Sequence, residues 1–113
     1  MVSEEKGAAV TVDGYGMVER HVRDKRILLV DDEAELAGMV AAILHGAGFS
    51  AVDRVGSGAE ALTAIDARAA SPEDAYQLFV LDVMMPGMDG FDLLARIRER
   101  PACASVPALF LTA

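Results

Sequence analysis

The feature that most constrains the fold is a short apolar run, Leu78-Phe79-Val80-Leu81, which ends in Asp82. An apolar run of this length between turn residues is typical of a strand that is buried on both faces of a parallel sheet. Pro86 and Gly87 then force a loop, so Asp82 falls at the carboxyl end of the strand, where open α/β sheets bind ligands. The run predicts a reactive or ligand-binding role for Asp82, although a solvated aspartate that begins a loop would give the same local pattern.

A second buried strand, Arg26-Ile27-Leu28-Leu29-Val30, is followed by three successive acids, Asp31, Asp32 and Glu33. Such acids can also cap a helix or stabilise its first turn through the helix dipole, and one residue can do both. The carboxyl ends of parallel strands meet at one edge of a sheet, so these acids are expected beside Asp82. Clustered carboxylates repel each other unless a cation is present. Because Mg²⁺ prefers oxygen ligands, these acids are candidate ligands of a Mg²⁺ ion.

The order of elements predicts an α/β fold with a doubly wound parallel sheet, because strands and helices alternate and no hairpin signal is present. Apolar residues at helical spacing predict a first helix with one buried face, which includes Leu36, Met39, Val40, Ile43, Leu44 and Ala47. Further strands are expected over Phe49–Val55 and Val106–Thr112, and a capping box at Ser57 and Glu60 predicts the second helix. Thr112 would then add a hydroxyl group at the same edge of the sheet as Asp82.

Composition narrows the functional classes further. The 113 residues suffice for one domain with a real core, and the net charge of -8 argues against direct contact with nucleic acid. The single cysteine, Cys103, excludes an internal disulfide and a thiolate metal cage. No apolar run reaches membrane length and the first residues do not resemble a signal peptide, so a cytoplasmic protein is expected.

Three motifs together resemble the receiver domain of bacterial two-component response regulators, from about Lys25 to the last residue. They are Ile27-Leu28-Leu29-Val30-Asp31-Asp32-Glu33, then Leu81-Asp82-Val83-Met84-Met85-Pro86-Gly87-Met88-Asp89-Gly90, then Pro107-Ala108-Leu109-Phe110-Leu111-Thr112-Ala113. The resemblance implies a flavodoxin-like receiver fold with strand order 2-1-3-4 within residues 25–113. Residues 1–24, broken by glycines, are expected to be a flexible N-terminal extension.

The resemblance also implies the roles of the site residues. Asp82 matches the phosphoacceptor, and Asp31 and Asp32 match the acidic pair that holds Mg²⁺. Met84 matches the residue whose main-chain carbonyl completes the metal site, and Thr112 matches the switch hydroxyl. The implied phosphoryl donor is a sensor histidine kinase or a histidine phosphotransfer protein. No metabolic enzyme activity is expected, and Pro86 and Gly90 are expected only to shape the loop of the pocket.

The chain departs from the family pattern after Ala113, where the family continues through a fifth strand that ends in Lys-Pro. The only lysines, Lys6 and Lys25, precede the site, so neither matches the family's active-site lysine. The chain is therefore expected to be part of a longer protein. Without a fifth strand, Ala108–Thr112 is expected to be an exposed edge strand that is prone to self-association.

Two other functions remain open from the sequence. One is a pseudo-receiver, a protein-interaction module that is never phosphorylated, which the missing lysine keeps possible. The other is a Mg²⁺-dependent phosphohydrolase that uses an aspartyl phosphate. Phosphohydrolases of the haloacid-dehalogenase type carry a second aspartate two residues after the nucleophile, and Met84 occupies that position here.

Overall fold

The computed structural model describes residues 2–4 and 24–111. Within these ranges the strands are β1 (Val2–Glu4), β2 (Arg26–Val30), β3 (Ala51–Val55), β4 (Leu78–Asp82) and β5 (Ala108–Leu111). The helices are α1 (Ala34–Gly46), α2 (Gly58–Arg68) and α3 (Gly90–Arg98), with short 3₁₀ turns at Pro72–Asp74 and Pro101–Cys103. No helix in the described part of the chain is long and apolar enough to cross a membrane.

The described strands form one sheet in the order β1-β5-β4-β2-β3. The last four are mutually parallel, with Val30 opposite Leu81 between β2 and β4, and Leu81 opposite Phe110 between β4 and β5. Numbered from β2, these parallel strands have the order 2-1-3-4, which confirms the expected receiver arrangement. The two central strands, β2 and β4, therefore direct their carboxyl ends to the same edge of the sheet.

Helices cover both faces of the central strands. Successive side chains in a strand point to opposite faces, and in these strands the side chains on both faces are apolar. Leu28 and Val30 belong to the core on the side of α2 and α3, together with residues such as Leu93. Ile27 and Leu29 belong to the core on the side of α1. Burying one large aliphatic side chain contributes about 1.5–3 kcal/mol, so these two strands anchor both halves of the core.

Helix α1 contacts the sheet through a narrower face than the sequence predicted. Ala37 and Ala41 are buried, whereas Met39 and Ile43 are 63% and 67% exposed, and Leu36 is also exposed. Small side chains let a helix approach a sheet closely, and the larger residues then fall on a neighbouring stripe of the same helix. The prediction that all the apolar residues of α1 share one buried face was therefore wrong for Leu36, Met39 and Ile43.

Strand β1, rather than β5, forms one edge of the described sheet. It pairs antiparallel with β5, with Ser3 opposite Phe110, so β5 has a neighbouring strand on each side. The predicted exposed edge at β5 is wrong for the described part of the chain, and the extension expected to be flexible over residues 1–24 contains at least this strand. A three-residue strand held by backbone hydrogen bonds needs no hydrophobic period, so no local pattern predicted it. Residues 5–23 lie outside the described residues.

Deletion of residues 1–4 should increase self-association of the chain. The deletion removes β1 and leaves the backbone N–H and C=O groups at the edge of β5 free to pair with another chain. Sedimentation velocity at several protein concentrations would measure the change. Ser3→Ala keeps every backbone group of β1 and should sediment like the unaltered chain. Equal self-association of the deletion variant and the unaltered chain would show that β1 does not protect this edge.

Candidate functional site

The parallel pairing of β2 and β4 brings the predicted acidic residues together. Asp31 directly follows β2, and Asp82 is the last residue of the neighbouring β4. One carboxylate oxygen from each of Asp31, Asp32 and Asp82 can be chosen so that all three lie within 4.8 Å of one another. The structure thus places three of the predicted site residues around a single point at the carboxyl edge of the sheet.

Asp31 is the most buried of the three acids, with 3% of its surface exposed. Its Oδ1 accepts a hydrogen bond from the backbone N–H of Glu33 at 2.9 Å. Its buried Oδ2 has no hydrogen-bond partner among the described residues. A buried carboxylate oxygen without a partner is costly, and a cation would remove that cost. The three candidate ligand atoms of the cluster are all carboxylate oxygens, which fits a hard divalent cation such as Mg²⁺.

Asp82 lies beside Asp31 and remains partly exposed. Loss of hydration raises the pKa of its carboxyl group to about 6, and the adjacent carboxylates of Asp31 and Asp32 add to the increase. The backbone N–H of Met84 donates to Asp82 Oδ1 at 3.2 Å and acts in the opposite direction, lowering that pKa. Asp82 therefore combines an accessible carboxylate with an unfavourable electrostatic environment.

Helix capping does not explain the acids after β2. The residue at the N-cap of α1 is Glu33, and its side chain makes no capping hydrogen bond. Asp32 is exposed, and one of its oxygens lies within the same 4.8 Å cluster as Asp31 and Asp82. The three carboxylates thus form a group that could hold a cation, an arrangement that stabilising the start of the helix does not require.

The loop after Asp82 is built by local backbone constraints. Gly87 has a φ angle of 81°, which favours glycine because it lies in the left-handed region. Asp89 caps α3, since its side chain accepts a hydrogen bond from the backbone N–H of Asp92 at 2.8 Å. Met84, whose main-chain carbonyl is the predicted ligand, is 75% exposed. This cap was not predicted from the sequence, although an aspartate at the end of a loop and three residues before another acid is a usable signal.

Arg54 is a residue near the site that the sequence analysis missed. It lines a cavity of about 210 Å³ together with Asp31, Asp32 and Glu60, and its guanidinium donates to the carbonyl of Ala34 at 3.2 Å. Arg54 reaches the acidic cluster only because β3 pairs with β2, with Arg54 opposite Leu29. No local sequence pattern around Arg54 carries that information.

Of Thr112 and the two lysines, the structure describes only Lys25. Thr112 lies outside the described residues, but the preceding Leu111 accepts a hydrogen bond from the backbone N–H of Val83 at 3.2 Å. The end of β5 therefore lies beside the residue that follows Asp82. Lys25 precedes β2 and so lies toward the opposite edge of the sheet, and Lys6 lies outside the described residues.

Comparisons with known proteins identify a family with this arrangement. The family profile described as "Response regulator receiver domain" matches residues 27–113. The DNA-binding response regulator MtrA of Mycobacterium leprae is 43% identical over 89 residues, which cover 79% of this chain and 35% of that protein. The transcriptional regulatory protein TcrA of Mycobacterium tuberculosis is 38% identical over 100 residues, which cover 88% of this chain and 36% of that protein. The chain thus spans about a third of the length of these curated relatives.

Solved structures show the same similarity. The N-terminal domain of a response regulator receiver protein from Methanoculleus marisnigri is 36% identical, with a TM-score of 0.66, over 79% of this chain and 67% of that chain. The receiver domain of the histidine kinase CKI1 from Arabidopsis thaliana, complexed with Mg²⁺, is 29% identical, with a TM-score of 0.62, over 66% of this chain and 57% of that chain. Both solved structures are receiver domains, which agrees with the receiver fold of this chain.

Asp82→Asn should stabilise the metal-free chain at neutral pH. The folded state raises the Asp82 pKa from 3.8 to about 6, so it binds this proton more tightly than the unfolded state. The free energy of unfolding therefore falls as the pH rises from about 4 to about 6, and the penalty persists above that window. After a discount for solvent screening, the penalty is about 1 kcal/mol.

Urea unfolding with a chelator at about pH 3.5 and about pH 7.5 would measure this effect. The variant should gain stability over the unaltered chain only at the higher pH. Asp24→Asn removes an equal charge from an exposed position before β2 and should show no such gain. An equal difference between Asp82→Asn and the unaltered chain at both pH values would contradict the prediction.

Proposed function

Because the chain belongs to the response regulator receiver domain family, we propose that Asp82 accepts a phosphoryl group in two-component signal transduction. The donor is a phosphohistidine of a sensor histidine kinase or a histidine phosphotransfer protein. The observation that carries the proposal is the cluster of Asp31, Asp32 and Asp82, in which one carboxylate oxygen of each lies within 4.8 Å of the others. In addition, the buried Oδ2 of Asp31 has no hydrogen-bond partner among the described residues. Such a cluster is suited to a cation and to the phosphoryl oxygens that a cation attracts.

The carboxylates of Asp31, Asp32 and Asp82 would hold Mg²⁺, with the main-chain carbonyl of Met84 as a further ligand. The candidate ligand atoms support this assignment, since the clustered atoms are carboxylate oxygens. One buried oxygen of Asp31 also has no hydrogen-bond partner among the described residues. When bound, Mg²⁺ supplies positive charge that neutralises the oxygens of the incoming phosphoryl group.

Asp82 acts as the nucleophile in this proposal. One carboxylate oxygen forms a bond to phosphorus while the bond from phosphorus to the histidine nitrogen breaks, and the departing imidazole takes up a proton from solvent. The product is an acyl phosphate. The hydrogen bond from the Met84 N–H to Asp82 Oδ1 orients the carboxylate before transfer, and the partial exposure of Asp82 gives the donor access.

Phosphorylation would change the surface around the site. The phosphoryl group adds negative charge and acceptor oxygens beside the clustered carboxylates of Asp31 and Asp32. Thr112 is the proposed switch hydroxyl, because it follows Leu111, whose carbonyl is bonded to the Val83 N–H. A change at Asp82 can thus be passed to the end of β5 and alter the contacts of the protein with its partners.

The proposed role as a phosphoacceptor also implies where the chain acts and which partners it contacts. The chain would act in the cytoplasm as a signalling module, and its chemistry would be limited to its own phosphorylation and dephosphorylation. Its net charge of -8 supports protein partners over direct contact of this segment with nucleic acid. DNA binding is described for MtrA as a whole protein, of which this chain matches 35%.

Asp31→Asn and Asp82→Asn should each weaken Mg²⁺ binding by at least about tenfold, because each removes a charged ligand. Isothermal titration calorimetry of the 113-residue chain would measure the dissociation constant. Asp24→Asn, which changes an exposed acid before β2, should leave it unaltered. The same affinity in the unaltered chain and both site variants would show that the metal site is elsewhere.

Phosphoryl labelling tests the acceptor directly. Acetyl phosphate or a phosphorylated kinase, with Mg²⁺, should give a label that resists acid, is lost at high pH and is absent from Asp82→Asn. Mg²⁺ binding without any label would instead support a phosphorylation-independent interaction module. Steady release of phosphate from small phosphate esters would support a phosphohydrolase.

A further inference from the structure

The first turn of α3 abuts the backbone at Asp82 more closely than any side chain would permit. Gly90 is the first residue of α3 and is buried. A Cβ atom built on Gly90 would lie 2.3 Å from the carbonyl oxygen of Asp82, 3.0 Å from its carbonyl carbon and 3.1 Å from the Cα atom of Val83. These atoms belong to the backbone, so a larger residue would have to displace either the Asp82–Val83 peptide or the start of α3.

The position of the Asp82–Val83 peptide is also fixed by hydrogen bonds on more than one side. The backbone N–H of Gly90 donates to the carbonyl of Val83 at 3.0 Å. The N–H of Val83 donates to the carbonyl of Leu111 in β5 at 3.2 Å. A helix that moved away from Asp82 would break the first bond, and a peptide that moved away from Gly90 would disturb the second.

The Asp82–Val83 peptide lies between two of the groups assigned to the site. The Asp82 side chain precedes it, and the Met84 N–H that bonds Asp82 Oδ1 follows it after one residue. Metal sites and phosphoryl-transfer sites depend on ligand positions that are held within a fraction of an ångström. The absence of a side chain at residue 90 is therefore connected to the chemistry by direct backbone contact.

We infer that Gly90 is a positioning residue, whose lack of a side chain sets the placement of the Asp82 carboxylate and the Met84 carbonyl relative to Asp31 and Asp32. The inference deepens the proposed function and rests on it, because it takes Asp82 as the phosphoacceptor. The required property of Gly90 is its size, since Gly87 and Gly48 are the described glycines with a positive φ angle.

Gly90→Ala should raise the dissociation constant for Mg²⁺ by about tenfold or more and slow labelling by acetyl phosphate, because it displaces ligands that it does not itself supply. Calorimetric titration and a labelling time course on the 113-residue chain would measure both quantities. Circular dichroism and urea unfolding would establish the folded fraction of each variant. A merely structural role would lower the stability of the variant without changing the Mg²⁺ affinity of its folded molecules.

Gly58→Ala is the matched control, because Gly58 is also buried and is also the first residue of a helix. Its Cβ would lie 2.7 Å from the Met88 Sδ, a flexible side-chain atom that can move away. Gly46→Ala is a second control, with no atom within 4 Å of the added Cβ. Both controls should keep the Mg²⁺ dissociation constant within about twofold of that of the unaltered chain.

The outcomes separate this inference from the proposed function. Mg²⁺ binding that depends on Asp82 but is unaffected by Gly90→Ala would overturn the inference alone. Binding in the unaltered chain that does not depend on Asp82 would overturn both. If Gly90→Ala is largely unfolded, sucrose, which favours the compact state, is added to refold it and the titration is repeated on both chains under the same conditions. A weaker Mg²⁺ affinity of the refolded variant would support the inference, and an unchanged affinity would contradict it.

Discussion

The parallel pairing of β2 with β4 is the constraint on which the rest of the structure depends. These two strands are apolar on both faces, so each must be covered by helices on both sides and neither can lie at a solvated edge. Their register, with Val30 opposite Leu81, carries Asp31 and Asp82 to the same level at the carboxyl edge. The hydrophobic requirement of the core thereby imposes the position of the charged site.

The site itself opposes folding in the absence of a cation. Asp31 is buried, and its Oδ2 has no hydrogen-bond partner in the described part of the chain. Partial desolvation together with this neighbour raises the pKa of Asp82 to about 6. Marginally stable domains tolerate such a penalty only when the core compensates for it, and here the fully buried strands β2 and β4 provide that compensation. A bound divalent cation would convert this electrostatic cost into ligand affinity, which links the stability of the domain to its proposed chemistry.

Two backbone hydrogen bonds connect the acidic site to the surrounding elements. The residue after Asp82 is bonded to Leu111 in β5 and to Gly90 in α3, and β5 is in turn paired with β1. The chain near Asp82 is thus held by a strand on one side and a helix on the other. A structural change at the phosphoacceptor would be transmitted to these two elements first, because they share its backbone hydrogen bonds.

The sequence by itself determined the order of strands and helices from Arg26 onward and the placement of Asp31 and Asp82 at strand ends, since apolar runs and turn residues are local signals. The family resemblance supplied the strand order, which the sheet confirms. Only the tertiary structure decided that β1 pairs with β5, that the larger apolar residues of α1 are exposed, and that Arg54 lies against the site. These features depend on contacts between segments that are distant in the chain, and no periodicity or local motif records such contacts.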